Sequence, residues 1–275
     1  AGAAATEVFV TARDAFGNVI ANAPVVLAAT GAGNTLTQPT SVTDVNGRTR
    51  GTLASTIAGA KIVSATVNGV AVIATDTITV TPAAISGAQS SITLSSSSIT
   101  AGGAAGTITV TARDAFGNVV SGATVVLDAT GTGNTLTQPA STTNALGQTS
   151  GTFASNIAGD RTISASINGT PVVTTQVLTV NAAAVSATQS TLGSDPATIV
   201  AGLGTSTITV RARDQFGNNI AGASVSLIST GSSNTLTQPA AVTDADGFAT
   251  GSLASTVAES KSITAIVNGV TLASG

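Results

Sequence analysis

The residues with most chemical promise lie in the run Thr243-Asp244-Ala245-Asp246-Gly247. Two carboxylates beside a glycine could hold a hard cation such as calcium, which takes several oxygen ligands at one point. The same position occurs twice more, as Asp44-Val45-Asn46-Gly47 and Asn144-Ala145-Leu146-Gly147. The carboxylates drop out while the glycine stays, as a tight turn requires. A turn is therefore expected, with Asp244 and Asp246 as the only, weak, metal candidates. Serine and threonine are abundant, but a hydroxyl needs an activating base to become a nucleophile, and the chain has no His. A Ser–Lys pair is formally open. Lys61 and Lys261, however, align with Arg161, which reads as an exposed cationic position rather than a tuned amine. The 12 acids fall mostly in turns rather than in a converging pair for glycoside hydrolysis. No catalytic residue and no cofactor are expected.

A second motif recurs without change of spacing. Arg13-Asp14-Ala15-Phe16-Gly17-Asn18 returns as Arg113-Asp114-Ala115-Phe116-Gly117-Asn118 and as Arg213-Asp214-Gln215-Phe216-Gly217-Asn218. Asp and Asn form local bonds to backbone, and Gly supplies a left-handed dihedral. The motif is therefore expected to be a structural turn whose Phe plugs one end of its own domain, ahead of a ligand loop displayed once per repeat. Two other aromatics break the repeat: Phe9 aligns with Thr109 and Thr209, and Phe248 with Arg48 and Gln148. Both are expected to face outward, where they are candidates for contacts between modules or subunits. The sequon Asn168-Gly169-Thr170 is explained by a hairpin turn, and the other repeats carry Val70 and Val270 at its third place.

These landmarks define a 100-residue period, joined by the block Asn-Thr-Leu-Thr-Gln-Pro at Asn34, Asn134 and Asn234 and by Asn-Gly at Asn68, Asn168 and Asn268. Inside the second repeat, Ile108, Val110 and Ala112 alternate with threonines, Ala123, Val125 and Leu127 share a face, and Ile163, Ala165 and Ile167 alternate with serines. That is the period of strands with one buried face. Phe153 stands where the other repeats have Leu53 and Leu253. Asn-Gly is the strongest short hairpin signal, because both central residues of a type I′ turn need φ > 0. Roughly seven short strands per repeat and no helical periodicity predict an all-β chain of tandem immunoglobulin-like β-sandwich modules. The expected modules are 1–83, lacking a first strand, 84–183, complete, and 184–275, lacking a last strand. A window cut from a longer array and strand exchange between copies both account for the missing edges.

Composition narrows the function. With 8% charged residues, no Cys, Met, Trp, Tyr or His and a net charge of −3, the chain lacks a basic surface for nucleic acid. No apolar run reaches the ~18 residues that span a bilayer, and the amino terminus has no signal-peptide pattern, so the chain reads as mature or truncated.

The Ala-Arg-Asp-x-Phe-Gly-Asn block, for example Ala112 to Ala123, with Thr243 to Gly247 and Val267-Asn268-Gly269, resembles the bacterial immunoglobulin-like group 1 repeats of invasin- and intimin-type adhesins. Filamin-type repeats share the Asp-x-x-Gly-Asn landmark as a more distant likeness. The resemblance implies an extracellular stalk on a bacterial cell surface, whose partners are its neighbouring modules, other copies of itself, and a host or surface receptor reached through regions outside this chain. The alternative is a self-assembling subunit of an extracellular filament, sheath or phage appendage, completed by intermolecular strand exchange.

Overall fold

The computed structural model describes residues 1–272. The first module contains β1 (Thr6–Thr11), β2 (Val25–Ala29), β3 (Asn34–Thr37), β4 (Arg48–Ser55), β5 (Gly59–Val67), β6 (Val70–Ala71) and β7 (Asp76–Val80). The second contains β8 (Ser91–Leu94), β9 (Ser98–Thr100), β10 (Gly106–Thr111), β11 (Val125–Ala129), β12 (Asn134–Thr137), β13 (Gln148–Ser155), β14 (Gly159–Ile167), β15 (Thr170–Pro171) and β16 (Gln176–Asn181). The third contains β17 (Thr191–Asp195), β18 (Thr205–Arg211), β19 (Val225–Ser229), β20 (Asn234–Thr237), β21 (Phe248–Ser255), β22 (Ile263–Val267) and β23 (Val270–Leu272).

In the second module, one sheet has the order β12-β13-β10-β8 and the other β11-β14-β16-β9, with β15 on β14. The alternating residues fill the space between them: Ile108, Val110, Ala112, Ala123, Val125, Leu127, Ile163, Ala165 and Ile167 are all buried, around a Phe153 with no exposed surface. Their threonine and serine neighbours point to the opposite faces, as the two-residue period demands. The hairpin between β14 and β15 turns on Asn168 and Gly169, with φ of 48° and 81°. The fold is therefore the all-β array of sandwiches that the sequence predicts.

Two devices close the sandwich edges. Strand β11 lies at the end of its sheet, and the Gln138 amide serves as its missing neighbour: Leu127 N donates to Gln138 Oε1 (2.7 Å), and Gln138 Nε2 donates to the Leu127 carbonyl (2.8 Å). The same pairing joins Leu27 to Gln38 and Leu227 to Gln238, which gives the Asn-Thr-Leu-Thr-Gln-Pro block its structural purpose. Such satisfaction of an edge removes a template for unwanted strand pairing. On the other sheet, β8 lies antiparallel on β10, setting Ile92 opposite Val110. The corresponding sheet of the first module has the order β1-β4-β3, so β1 has one free edge among the described residues.

The cationic position departs from expectation. Lys61 and Arg161 are buried rather than exposed, and Lys261 is half-buried. The cause is backbone carbonyls that meet the cation, in the loops before β3 and β20 for the two lysines and in the 157–160 segment for Arg161. Lys61 Nζ donates to Ala32 O (2.9 Å), Lys261 Nζ to Ser232 O (2.9 Å), and Arg161 to Asp160 O (3.0 Å) and Ile157 O (2.7 Å).

Candidate functional site

The Asp-x-Phe-Gly-Asn segment is bent by its own aspartate. Asp114 Oδ1 accepts the backbone N–H groups of Phe116 (2.9 Å) and Asn118 (2.9 Å), and Oδ2 accepts the Asn118 side-chain amide (2.8 Å). Gly117 takes φ 85°, where a side chain would be strained. This turn lies at the boundary between modules, and each of its polar ends reaches outward. Asp114 Oδ2 also accepts the Ala83 N–H (2.8 Å), which fastens the linker. Asn118 Oδ1 accepts the N–H of Ala58 (2.9 Å), while its Nδ2 donates to Thr56 O (2.9 Å), both in the preceding module.

The aromatic ring completes the contact. Phe116 lies so close to Gly2 that a Cβ there would overlap the ring, and Phe216 stands in the same relation to Gly102. Only glycine admits the ring to the backbone at these positions. The loops that carry the glycines are anchored to the same modules, since Gly2 N donates to Ser55 O (2.9 Å) and Gly102 N to Ser155 O (3.0 Å). The expected plug of each Phe into its own sandwich is thus corrected. The ring projects away from its module because the turn fixed by Asp114 directs it outward, and the place in the core is held by Phe153 and its equivalents.

The second boundary repeats the first bond for bond. Ala183 N donates to Asp214 Oδ2 (2.8 Å), Ala158 N to Asn218 Oδ1 (2.9 Å), and Asn218 Nδ2 to Asn156 O (2.9 Å). Neighbouring modules decide burial at these positions. Asp114 and Asp214 have no exposed surface, whereas Asp14, with the same internal turn bonds, is exposed. Phe16 is 91% exposed, against 47% for Phe116 and 40% for Phe216. Burial pushes the Asp114 carboxyl up, but hydrogen bonds from the Asn118 side chain and from the Ala83, Asn118 and Phe116 backbone outweigh it and hold it below its ordinary value. Asp214 is held down by the corresponding groups against the same burial. Bonds from Asn18, led by its side-chain amide, lower Asp14.

The remaining sequence candidates lie elsewhere. Asp244 Oδ1 accepts the N–H groups of Asp246 (2.9 Å) and Phe248 (2.8 Å), and Asn144 does the same for Leu146 (2.8 Å) and Gln148 (3.0 Å). A carboxylate and an amide therefore make one turn equally well, which is why the acid is dispensable there. Among the described residues no group of three or more His, Cys, Asp or Glu side chains surrounds a common point. Phe9 sits exposed on β1 opposite Arg50, and Phe248 lies under the Arg211 guanidinium, 4.7 Å from its carbon to the ring centroid. The aromatic rings set against a neighbouring module's backbone are Phe116 and Phe216, while Phe248 stands beside the second boundary through Arg211. Gly2, Gly102 and the 56–58 and 156–158 turns belong to the junction without having stood out in the sequence. The recurring Ala-Gly pair at 1, 101 and 201 was their only signal.

Comparison with known proteins agrees with this architecture. The family model for the bacterial Ig-like domain (group 1) matches residues 1–81, 89–181 and 189–275. The inverse autotransporter adhesin YeeJ of Escherichia coli (strain K12) is 33% identical over 162 residues, which cover 58% of this chain and 7% of that protein. The chain thus spans a small part of the length of that relative. Among solved structures, the Escherichia coli adhesin FdeC superimposes with a TM-score of 0.65 at 24% identity, covering 98% of this chain and 91% of the other. InvD of Yersinia pseudotuberculosis gives a TM-score of 0.61 at 20% identity, over 98% and 90% of the two chains. At these identities the structural likeness shows the fold.

Proposed function

The chain belongs to the bacterial Ig-like domain (group 1) family, and from that premise we propose that it is a stiff spacer in the stalk of a bacterial cell-surface adhesin, with no catalytic role. The observation that carries this reading is the bond-for-bond identity of the two junctions. Asp114 and Asp214 fasten the linkers, Asn118 and Asn218 grip the preceding modules, and glycine-seated rings fill the gap. A flexible string would have no use for a buried carboxylate at each joint, since removing a charge from water is costly unless hydrogen bonds satisfy it. Repetition of one joint gives every module the same relation to its neighbour, which converts repeat number into reach. Receptor engagement belongs in this reading to other parts of the protein.

Small-angle X-ray scattering of the chain and of an Asn118→Ala/Asn218→Ala variant tests it. The parent is expected to be an elongated monomer with one fixed shape, and the variant a broader ensemble with unchanged module folds. A parent that already samples bent shapes as freely as the variant would sink the spacer reading.

A second reading, strand exchange between copies in a filament or sheath, is favoured by one feature. A groove of about 420 Å³ runs beside β1, lined among others by Val8, Val10, Leu27, Val72 and Ile78. In the second module β8 covers the corresponding edge. Light scattering over a concentration series separates the two readings, since strand exchange requires growth in mass with concentration.

A further inference from the structure

The three repeats serve as controls for one another, and around a single cleft the third departs from both others. At position 211 it has Arg where they have Thr11 and Thr111. At 219 it has Asn in place of Val19 and Val119, and at 248 Phe in place of Arg48 and Gln148. The structure draws these three changes together. Phe248 is the register partner of Arg211 on β21 and stacks under its guanidinium, and Asn219 Oδ1 accepts from Arg211 Nη2 (3.2 Å). A cation held between an aromatic face and an amide is fixed in direction. Arg213, two residues on, is on the same side of the chain. In the other modules its equivalents donate Nη1 to Gly17 O (2.6 Å) and Gly117 O (2.6 Å), a bond that Arg213 does not make to Gly217.

Both guanidinium groups border a cleft of about 490 Å³ between the second and third modules, shared with Ala158, Gly159, Gly217 and Asn219. The Nε atoms of Arg211 and Arg213 are buried and have no hydrogen-bond partner among the described residues. Neither arginine is ion-paired with a carboxylate among the described residues, whose bridges are Arg50–Glu7 and Lys261–Glu259. Two acids close in sequence to the lining are otherwise engaged: Asp214 holds the junction, and Asp244 Oδ1 holds its own turn. Buried polar groups in folded proteins are ordinarily satisfied. The buried Nε atoms do not face the cleft, but apart from the Arg211 Nη2–Asn219 bond neither guanidinium end is hydrogen-bonded among the described residues. Two such ends bordering one cleft fit an oxyanion, which can accept from both.

We propose that this cleft binds the carboxylate or sulfate group of an acidic carbohydrate. The oxyanion would sit between Arg211 and Arg213, with the Asn219 side-chain amide as a further donor. The lining favours a hydroxylated carrier over an apolar one, because apart from the two arginines it consists of glycine, alanine and asparagine. The site adds a binding role to one junction and does not depend on the spacer reading.

The test uses the whole chain, titrated with sodium sulfate and separately with a heparin-derived tetrasaccharide, at constant ionic strength, by two-dimensional NMR and calorimetry. Shifts confined to the groups lining the cleft are expected, with the tetrasaccharide bound more tightly than free sulfate. Arg211→Thr and Asn219→Val install residues that the other modules carry at these places, so folding should be retained, as circular dichroism would verify. Arg211→Thr is expected to weaken binding by about tenfold, the scale of one lost charge-assisted contact. Transplanting the three residues as Thr111→Arg, Val119→Asn and Gln148→Phe should create a second site at the first junction. Tetrasaccharide binding that ignores Arg211→Thr, or no response at the cleft, would overturn the proposal. Free sulfate bound as tightly as the tetrasaccharide would overturn the carbohydrate assignment.

Discussion

The first and second modules share their landmarks residue for residue, yet their interiors differ. Ile108 and Leu178 are fully buried in the second module, while their equivalents Val8 and Ile78 are only partly covered in the first. The difference follows from β8, which lies on β10 and brings Ile92 over the core, whereas β1 has a free edge among the described residues. The same comparison holds at the joint. Asp114 is sealed by the module and linker before it, and Asp14 makes the same turn in water. Alternation makes a residue eligible for burial, and the neighbouring strand or module carries it out.

The largest effect should come from the centre of that contrast. Phe153→Ala is expected to destabilise the second module by about 3–5 kcal/mol, because it empties a fully enclosed site. Leu53→Ala should cost less, since the first module is less covered and can relax into the space. Urea unfolding followed by module-resolved NMR measures both; equal losses would break the comparison.

Asp114→Ala comes next, at about 2–3 kcal/mol, because it leaves several backbone donors without an acceptor. Hydrogen exchange at the Ala83 amide should accelerate sharply. Asp14→Ala should leave the joints unaffected, which separates the turn from the clamp. The same carboxylates set an acid limit. Their folded values lie below the unfolded one, so their contribution is complete above a pH of about 4 and is lost as pH falls through the folded value. Scattering at decreasing pH should show the joints loosening in that window while the module cores persist.

The smallest expected effect is a gain. In the second module Arg161 Nε reaches Asn134 Oδ1 (3.0 Å), whereas with lysine at 61 and 261 the buried Asn34 and Asn234 Oδ1 atoms lack a partner among the described residues. Lys61→Arg is expected to raise stability by about 1 kcal/mol, and Arg161→Lys to lower it by a similar amount. Thermal unfolding of the two variants should move in opposite directions.

Much of this was legible because the chain contains its own alignment. The 100-residue period, the Asn-Gly hairpins and the alternation at Ile108, Val110 and Ala112 identify strands, turns and inner faces from local rules, and the buried residues follow them. The exposed character read for Lys61 failed because a charge can be buried where loop carbonyls converge, and carbonyl direction is not written in residue type. Phe116 failed as a plug for a related reason: its direction depends on four hydrogen bonds to Asp114 and Asn118, two of them from chain segments before the module's first strand.

By itself the sequence determined the repeat, the strand periodicity and the residues able to turn or to pack, since these depend on neighbours a few positions away. Only the tertiary structure decided that Asp114 clasps a linker 31 residues earlier, that Asn118 grips a turn 60 residues earlier, and that Arg211 and Arg213 share a cleft with Gly159. Those relations depend on where whole modules come to rest, and the chain states that only once it is folded.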